Sequence, residues 1–168
     1  TLAYIPSADA RARMSSLFSE KLSLGYIVVA NPQFHITKYL GEEKDNLSTF
    51  LANFEKKEKN RKPLNMNIAR TAIKNANFIY IDHNSHDEAL DSIAINDFYL
   101  DIRRIRIRGN EYFFSVEDIT ACSSIGTALK ELTMDVEIGP HGASVENLHI
   151  ETTGSNVKGK MAIYIPAV

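Results

Sequence analysis

The chain has 168 residues, 44% of them hydrophobic and 24% charged, with a formal net charge of −2. That length suits one domain with a sizeable core, and the charge gives no general attraction to nucleic acid, so polyanion binding would need a local basic patch. A single cysteine, Cys122, excludes an internal disulfide and favours a reducing compartment, cytoplasmic or nuclear rather than secreted. No apolar run reaches membrane-spanning length and no signal-peptide pattern opens the chain, so no membrane partner is expected. The start at Thr1 reads as a domain excised from a longer protein.

In chain order, Leu2–Ile5 reads as a short strand stopped by Pro6, and Ser7 as the N-cap of a helix carrying Ala10, Met14, Leu17 and Phe18 at helical spacing. Tyr26–Val29 is a strand before the loop Asn31-Pro32, and Phe34–Leu40 a strand ended by Gly41. Asp45 or Asn46 caps a second helix with the apolar stripe Leu47, Phe50, Leu51 and Phe54, which runs into the charged stretch Lys56–Lys62. Alternation at Leu64, Met66 and Ile68 and the run Phe78–Ile81 predict a strand pair, followed by a short helix over Asp87–Ile93. Phe98–Arg108 and Tyr112–Val116 read as a hairpin around Gly109-Asn110. A helix over Asp118–Met134 would bury Ile119, Cys122, Ile125, Leu129 and Leu132, and after the loop at Gly139-Pro140 and Gly142 come strands at Leu148–Glu151 and Met161–Ile165. This interleaving predicts a mixed α/β or α+β sheet protein with helices on the outer faces.

Two of these strands carry a histidine in an apolar frame: Phe34-His35-Ile36-Thr37 and Leu148-His149-Ile150-Glu151. Strand alternation puts His35 with Thr37 on one face, and His149 with Glu151 on one face. Two such imidazoles flanking one reacting group would suit a general acid and a general base.

The segment Phe34 to Glu42, with the second histidine strand, resembles the two-histidine phosphoesterase superfamily, whose motif is His-x-Thr or His-x-Ser occurring twice. The resemblance implies a single α+β domain over residues 1–168: two lobes, antiparallel-rich sheets around a central cleft, helices outside, and an insertion at about 63–97. It also implies a metal-independent phosphodiesterase needing no cofactor. The substrates would be RNA or oligonucleotides with 2′-linked phosphates, as 2′,3′-cyclic phosphate or 2′,5′-oligoadenylate, ahead of cyclic dinucleotides. His35 and His149 would be the acid–base pair, with Thr37 holding a phosphate oxygen. Glu151 stands where the family has a hydroxyl; an ionised carboxylate accepts only and repels phosphate, so either Glu151 would be protonated or turned away, or Thr152 or Thr153 would supply the hydroxyl. Arg104, Arg106 and Arg108 share one face by alternation and would cradle the phosphodiester backbone, while Tyr39, Tyr4 or Tyr112 would stack a base.

Other readings attach to particular residues. Glu151 motivates a catalytically impaired nucleotide- or RNA-binding domain on the same scaffold. His83, His86 and Asp87 have metal-like spacing and motivate a metal-dependent hydrolase, against the simpler reading of a surface loop. His141 reads as a loop residue, and Cys122 as a core residue on its apolar stripe.

Overall fold

The computed structural model describes residues 2–12, 21–55, 65–85 and 92–164. Its strands are β1 (Ala3–Tyr4), β2 (Ser7–Ala12), β3 (Leu22–Ala30), β4 (Gln33–Lys38), β5 (Asn65–Asp82), β6 (Ser92–Arg108), β7 (Glu111–Ser123), β8 (Ala128–Gly139), β9 (Gly142–Thr152) and β10 (Asn156–Tyr164). Helix α1 (Asn46–Glu55) lies between β4 and β5 and is the one α-helix among the described residues. All ten strands belong to one sheet, in the order β1-β4-β5-β6-β7-β8-β9-β10, with β3 also on β5 and β2 on β3. The expected two-lobed α+β fold with helices outside is therefore overturned: among the described residues one continuous sheet replaces the two lobes.

The long β5 organises this arrangement. It is rich in β-branched and aromatic residues (Ile68, Thr71, Ile73, Phe78, Ile79, Tyr80, Ile81), which fit a pleated surface. Along one edge it takes two parallel partners, β3 opposite Met66–Lys74 and β4 opposite Asn77–Asp82. Between them the chain jogs at Asn31 (φ 53) and the fully buried Pro32, beside Asn75 (φ 52) on β5 and near Asp97 (φ 52) on β6. Asn and Asp tolerate this left-handed region better than other side chains, and the backbone stays paired across the jog through Asn31 N to Lys74 O and Asn77 N to Pro32 O. From β6 onward the strands form an antiparallel meander.

Burial is thin. Besides Pro32, the buried apolar side chains among the described residues are Ile68, Ala72, Ala76 and Val116, all on β5 or β7. Phe34 stacks on Phe78 at 4.7 Å, and Phe78 meets Phe98 edge-on at 5.2 Å, joining β4, β5 and β6.

Several predicted elements change. Ser7–Ala12 is an exposed strand paired to β3 rather than the start of a helix; Ala favours helix only weakly, and strand pairing overrides it. Met14, Leu17 and Phe18 lie outside the described residues, as do Lys56–Lys62, Asp87 and Ile165. The strand pair expected at 64–81 is the single strand β5, and Ser92-Ile93 opens β6.

The helix over Asp118–Met134 is replaced by the end of β7, a turn and β8. Gly126 (φ 85) makes that turn, closed by Ser123 N to Thr127 O, and a helix running through this glycine would lose about 1 kcal/mol there. The hairpin at Gly109-Asn110 forms as predicted. So does the second helix, capped by Asp45 Oδ1 accepting from Ser48 N at 2.7 Å.

In the meander, directly opposed residues sort into two faces. One row runs Leu22, Met66, Ile107, Tyr112, Ile138, Ala143, Ile163 across seven strands. A second runs Phe114, Val136, Val145, Met161. Offset by one residue from these are polar rows: Arg103, Ser115, Asp135, Glu146; then Thr133, His149, Lys158; then Glu131, Glu151, Asn156. The sheet is thus apolar on one face and polar on the other. On the apolar face Tyr112, Ile138, Met161 and Ile163 are exposed.

Candidate functional site

The sheet order separates the two histidines. His35 is on β4 and His149 on β9, five inter-strand steps apart, roughly 24 Å along the sheet. The expected acid–base pair is therefore not assembled within one chain. His35 is exposed, and its backbone is paired to Leu2 O and to Asn46 Nδ2. Asn46 also accepts from Thr37 N at 3.0 Å, so this asparagine clamps α1 onto β4 rather than capping the helix. Tyr39 stacks on His83 with ring centres 6.4 Å apart.

The stretch after β5 is a clasp. Asn84 Oδ1 accepts from Gly41 N and Asn84 Nδ2 donates to Tyr39 O, while Asp82 accepts from Asn84 N. That last bond is the leading reason the Asp82 carboxyl sits below its ordinary range. His83 therefore belongs to a structural turn; His86 and Asp87 lie outside the described residues.

The arginines of β5 and β6 differ in their partners. Arg70 and Arg103 converge on Asp101, which is only 4% exposed, at 2.9 and 3.3 Å. Burial pushes the Asp101 carboxyl up, but the hydrogen bonds and charges of the two guanidiniums outweigh it and hold the group below the usual range. Arg104 has φ 57, a left-handed conformation that costs a long side chain on the order of 1–2 kcal/mol. A register shift accompanies it on β7, and the guanidinium reaches Ser115 Oγ at 2.8 Å, Asp135 Oδ1 at 3.4 Å and Glu117 Oε1 at 3.5 Å.

Asp135 is the hub of this polar row. Ser115 donates to one of its oxygens and Asn147 (φ 52) to the other at 2.8 Å, and these bonds with Arg104 hold its carboxyl below the ordinary range. Arg106 lies over the Phe113 ring at 5.1 Å, and Arg108 is directly opposite Glu111. Arg104, Arg106 and Arg108 all lie on β6, and of the three Arg104 is the one paired with carboxylates among the described residues.

Around His149 the expected phosphate contacts are replaced. Thr153 Oγ1 accepts from Ala128 N, and Thr152 Oγ1 accepts from Ser155 N, so both hydroxyls close the β9–β10 end of the sheet. Glu151 does share the face of His149, as alternation predicts, and it lies directly opposite Glu131. Glu131, His149 and Glu151 each present a ligating atom, all within 4.8 Å of one another. Asp118, nearby, is pushed up by burial and then by the charges of Glu131 and Asp101.

Glu131 was hidden from the sequence by the predicted helix over 118–134. Reading Leu132, Met134, Val136 and Ile138 as a period-two run would have exposed it on the opposite face. His141 is at the β8–β9 turn as expected, and Cys122 is exposed rather than core. At that end a groove of about 580 Å³ is lined by residues of β8, β9 and β10, among them Ile138, Val145, Met161 and Ile163, together with Glu111 and Glu146. No family model, curated protein or solved structure matches the chain.

Proposed function

We propose that the chain is an assembly module that works through the apolar face of its meander by pairing face to face with a second copy. The carrying observation is the pair of apolar rows across β7–β10, with Tyr112, Ile138, Met161 and Ile163 exposed. An antiparallel sheet keeps one face in water at no cost, but it gains stability by covering the other.

The exposed apolar side chains Tyr112, Ile138, Met161 and Ile163 lie on the neighbouring strands β7, β8 and β10, a surface that a second copy would cover. Two such faces stacked about 10 Å apart make a sandwich core, and a net charge of −2 per copy opposes this little. Phosphodiesterase chemistry has less support. It needs two imidazoles at one phosphate, and the fold puts five strand steps between them.

Sedimentation equilibrium tests the proposal. A dimer at micromolar concentration is expected, with Val136→Asp and Ile138→Asp shifting it to monomer while the far-ultraviolet circular dichroism is retained. A wild-type chain that stays monomeric at 100-fold higher concentration would overturn it. So would turnover of 2′,3′-cyclic phosphate or 2′,5′-oligoadenylate that is lost in both His35→Ala and His149→Ala.

A further inference from the structure

We propose that Glu131, His149 and Glu151, on the polar face of β8 and β9, form a binding site for a divalent transition-metal ion of the zinc type. The site lies on the face opposite the apolar rows, so it is independent of the assembly reading.

Register builds the triangle. Glu131 and Glu151 are directly opposed, and Thr133 and His149 are the next same-face pair. Opposed side chains on one face start about 4.5–5.5 Å apart at Cβ, and diagonal neighbours remain in reach of long side chains. Two glutamates and the intervening imidazole can therefore converge without moving the backbone.

Two features of His149 favour an ion over a direct contact. Its Nδ1 is 3.7 Å from Glu131 Oε1, which is beyond a hydrogen bond, for which the range is about 2.7–3.2 Å. Bond lengths of about 2.0–2.2 Å to zinc put two ligand atoms about 3.4–3.6 Å apart at tetrahedral or slightly wider angles. The observed gap is close to that spacing. In addition, Nε2 is buried without a partner, so among the described residues neither ring nitrogen is held by a hydrogen bond.

The donor set is one imidazole and two carboxylates, which suits zinc or cobalt better than calcium or magnesium; the latter prefer oxygen alone. Lys130 Nζ competes for Glu151 Oε1 at 3.4 Å, but its side chain is 54% exposed and can leave to solvent. Three protein ligands leave a fourth position open to water.

The test is calorimetric titration of the untagged chain with zinc chloride, paralleled by the visible absorption of added cobalt(II). One ion per chain is expected, with Glu131→Gln and Glu151→Gln each weakening affinity at least tenfold and His149→Ala removing the nitrogen-ligand signature of the cobalt spectrum. The two glutamates are 46% and 37% exposed, so their amide variants keep the fold and carry the test if His149→Ala does not. Absence of saturable one-to-one binding would overturn the proposal, as would unchanged affinity in both amide variants. Calcium binding as tightly as zinc would overturn the role given to the imidazole.

Discussion

The margin around β5 and the β7–β10 meander are made of the same secondary structure but are stabilised differently. At β5 the chain crosses over itself: two parallel neighbours, a buried proline and enclosed alanines leave little freedom at the surface. In the meander every strand pairs with its sequence neighbour, and β10 is exposed along its whole length. Stability in the first region comes from close packing within the chain. In the second it comes from hairpin ladders and polar rows, and the apolar face is left for another surface.

The largest effect that separates them comes from adding volume. Ala76 is 0% exposed on β5, whereas Ala162 is exposed on β10. Ala76→Leu should destabilise by about 3 kcal/mol, the upper part of the range for overpacking, and Ala162→Leu by less than about 0.5 kcal/mol. Urea denaturation of the two variants measures the difference; equal costs would mean that the β5 margin is not the packed region.

The same division explains what could be read from the residues. The Gly109-Asn110 hairpin, the Asp45 cap and the strand at Met161 follow from turn and cap chemistry within a few residues. The pairing of β3 and β4 on β5 depends on partners some forty positions away, and no local pattern encodes it. In Asp118–Met134, apolar residues at Ile119, Cys122, Ile125, Leu129 and Leu132 fit a helix as well as two strands, and only Gly126 decides between them. Of the candidate site, His149 and Glu151 were legible as same-face neighbours; Glu131 depends on cross-strand register.

Asp101 gives the next effect and ties β5 to β6 beside the packed region, since Arg70 is on β5 and Arg103 on β6. Its carboxyl is held below its ordinary 3.8, so its stabilisation is fully present above that pH and is lost as pH falls through the folded value. Asp101→Asn should cost about 1–2 kcal/mol at pH 7 and flatten the acid limb of the stability curve below pH 3.8, as followed by thermal melts at stepped pH. An unchanged acid limb would show that another carboxylate dominates there.

Arg104 offers a smaller contrast, within the meander's own polar row. Alanine loses the ties to Ser115 and Asp135 and keeps the left-handed strain; glycine loses the ties and releases the strain. Arg104→Ala should therefore destabilise by about 1 kcal/mol more than Arg104→Gly. The reverse order in urea midpoints would mean that the left-handed backbone at position 104 carries no strain for a side chain to release.

The smallest effect has the opposite sign. Asp118 is raised above 3.8 by burial and then by the charges of Glu131 and Asp101. A carboxyl raised on folding binds its proton more tightly in the native state, so the native state is penalised progressively as pH rises from 3.8 towards the folded value and fully above it. The penalty disappears as pH falls below 3.8. Asp118→Asn should therefore raise the melting temperature at pH 7 by a degree or two, an increase of about 0.5 kcal/mol or less, and make no difference near pH 3. Because Glu131 supplies part of the repulsion, Glu131→Gln should capture some of the same gain, and the double variant should gain less than the sum. Strict additivity would mean that the two carboxylates do not share one field on this face, and burial alone would then account for Asp118.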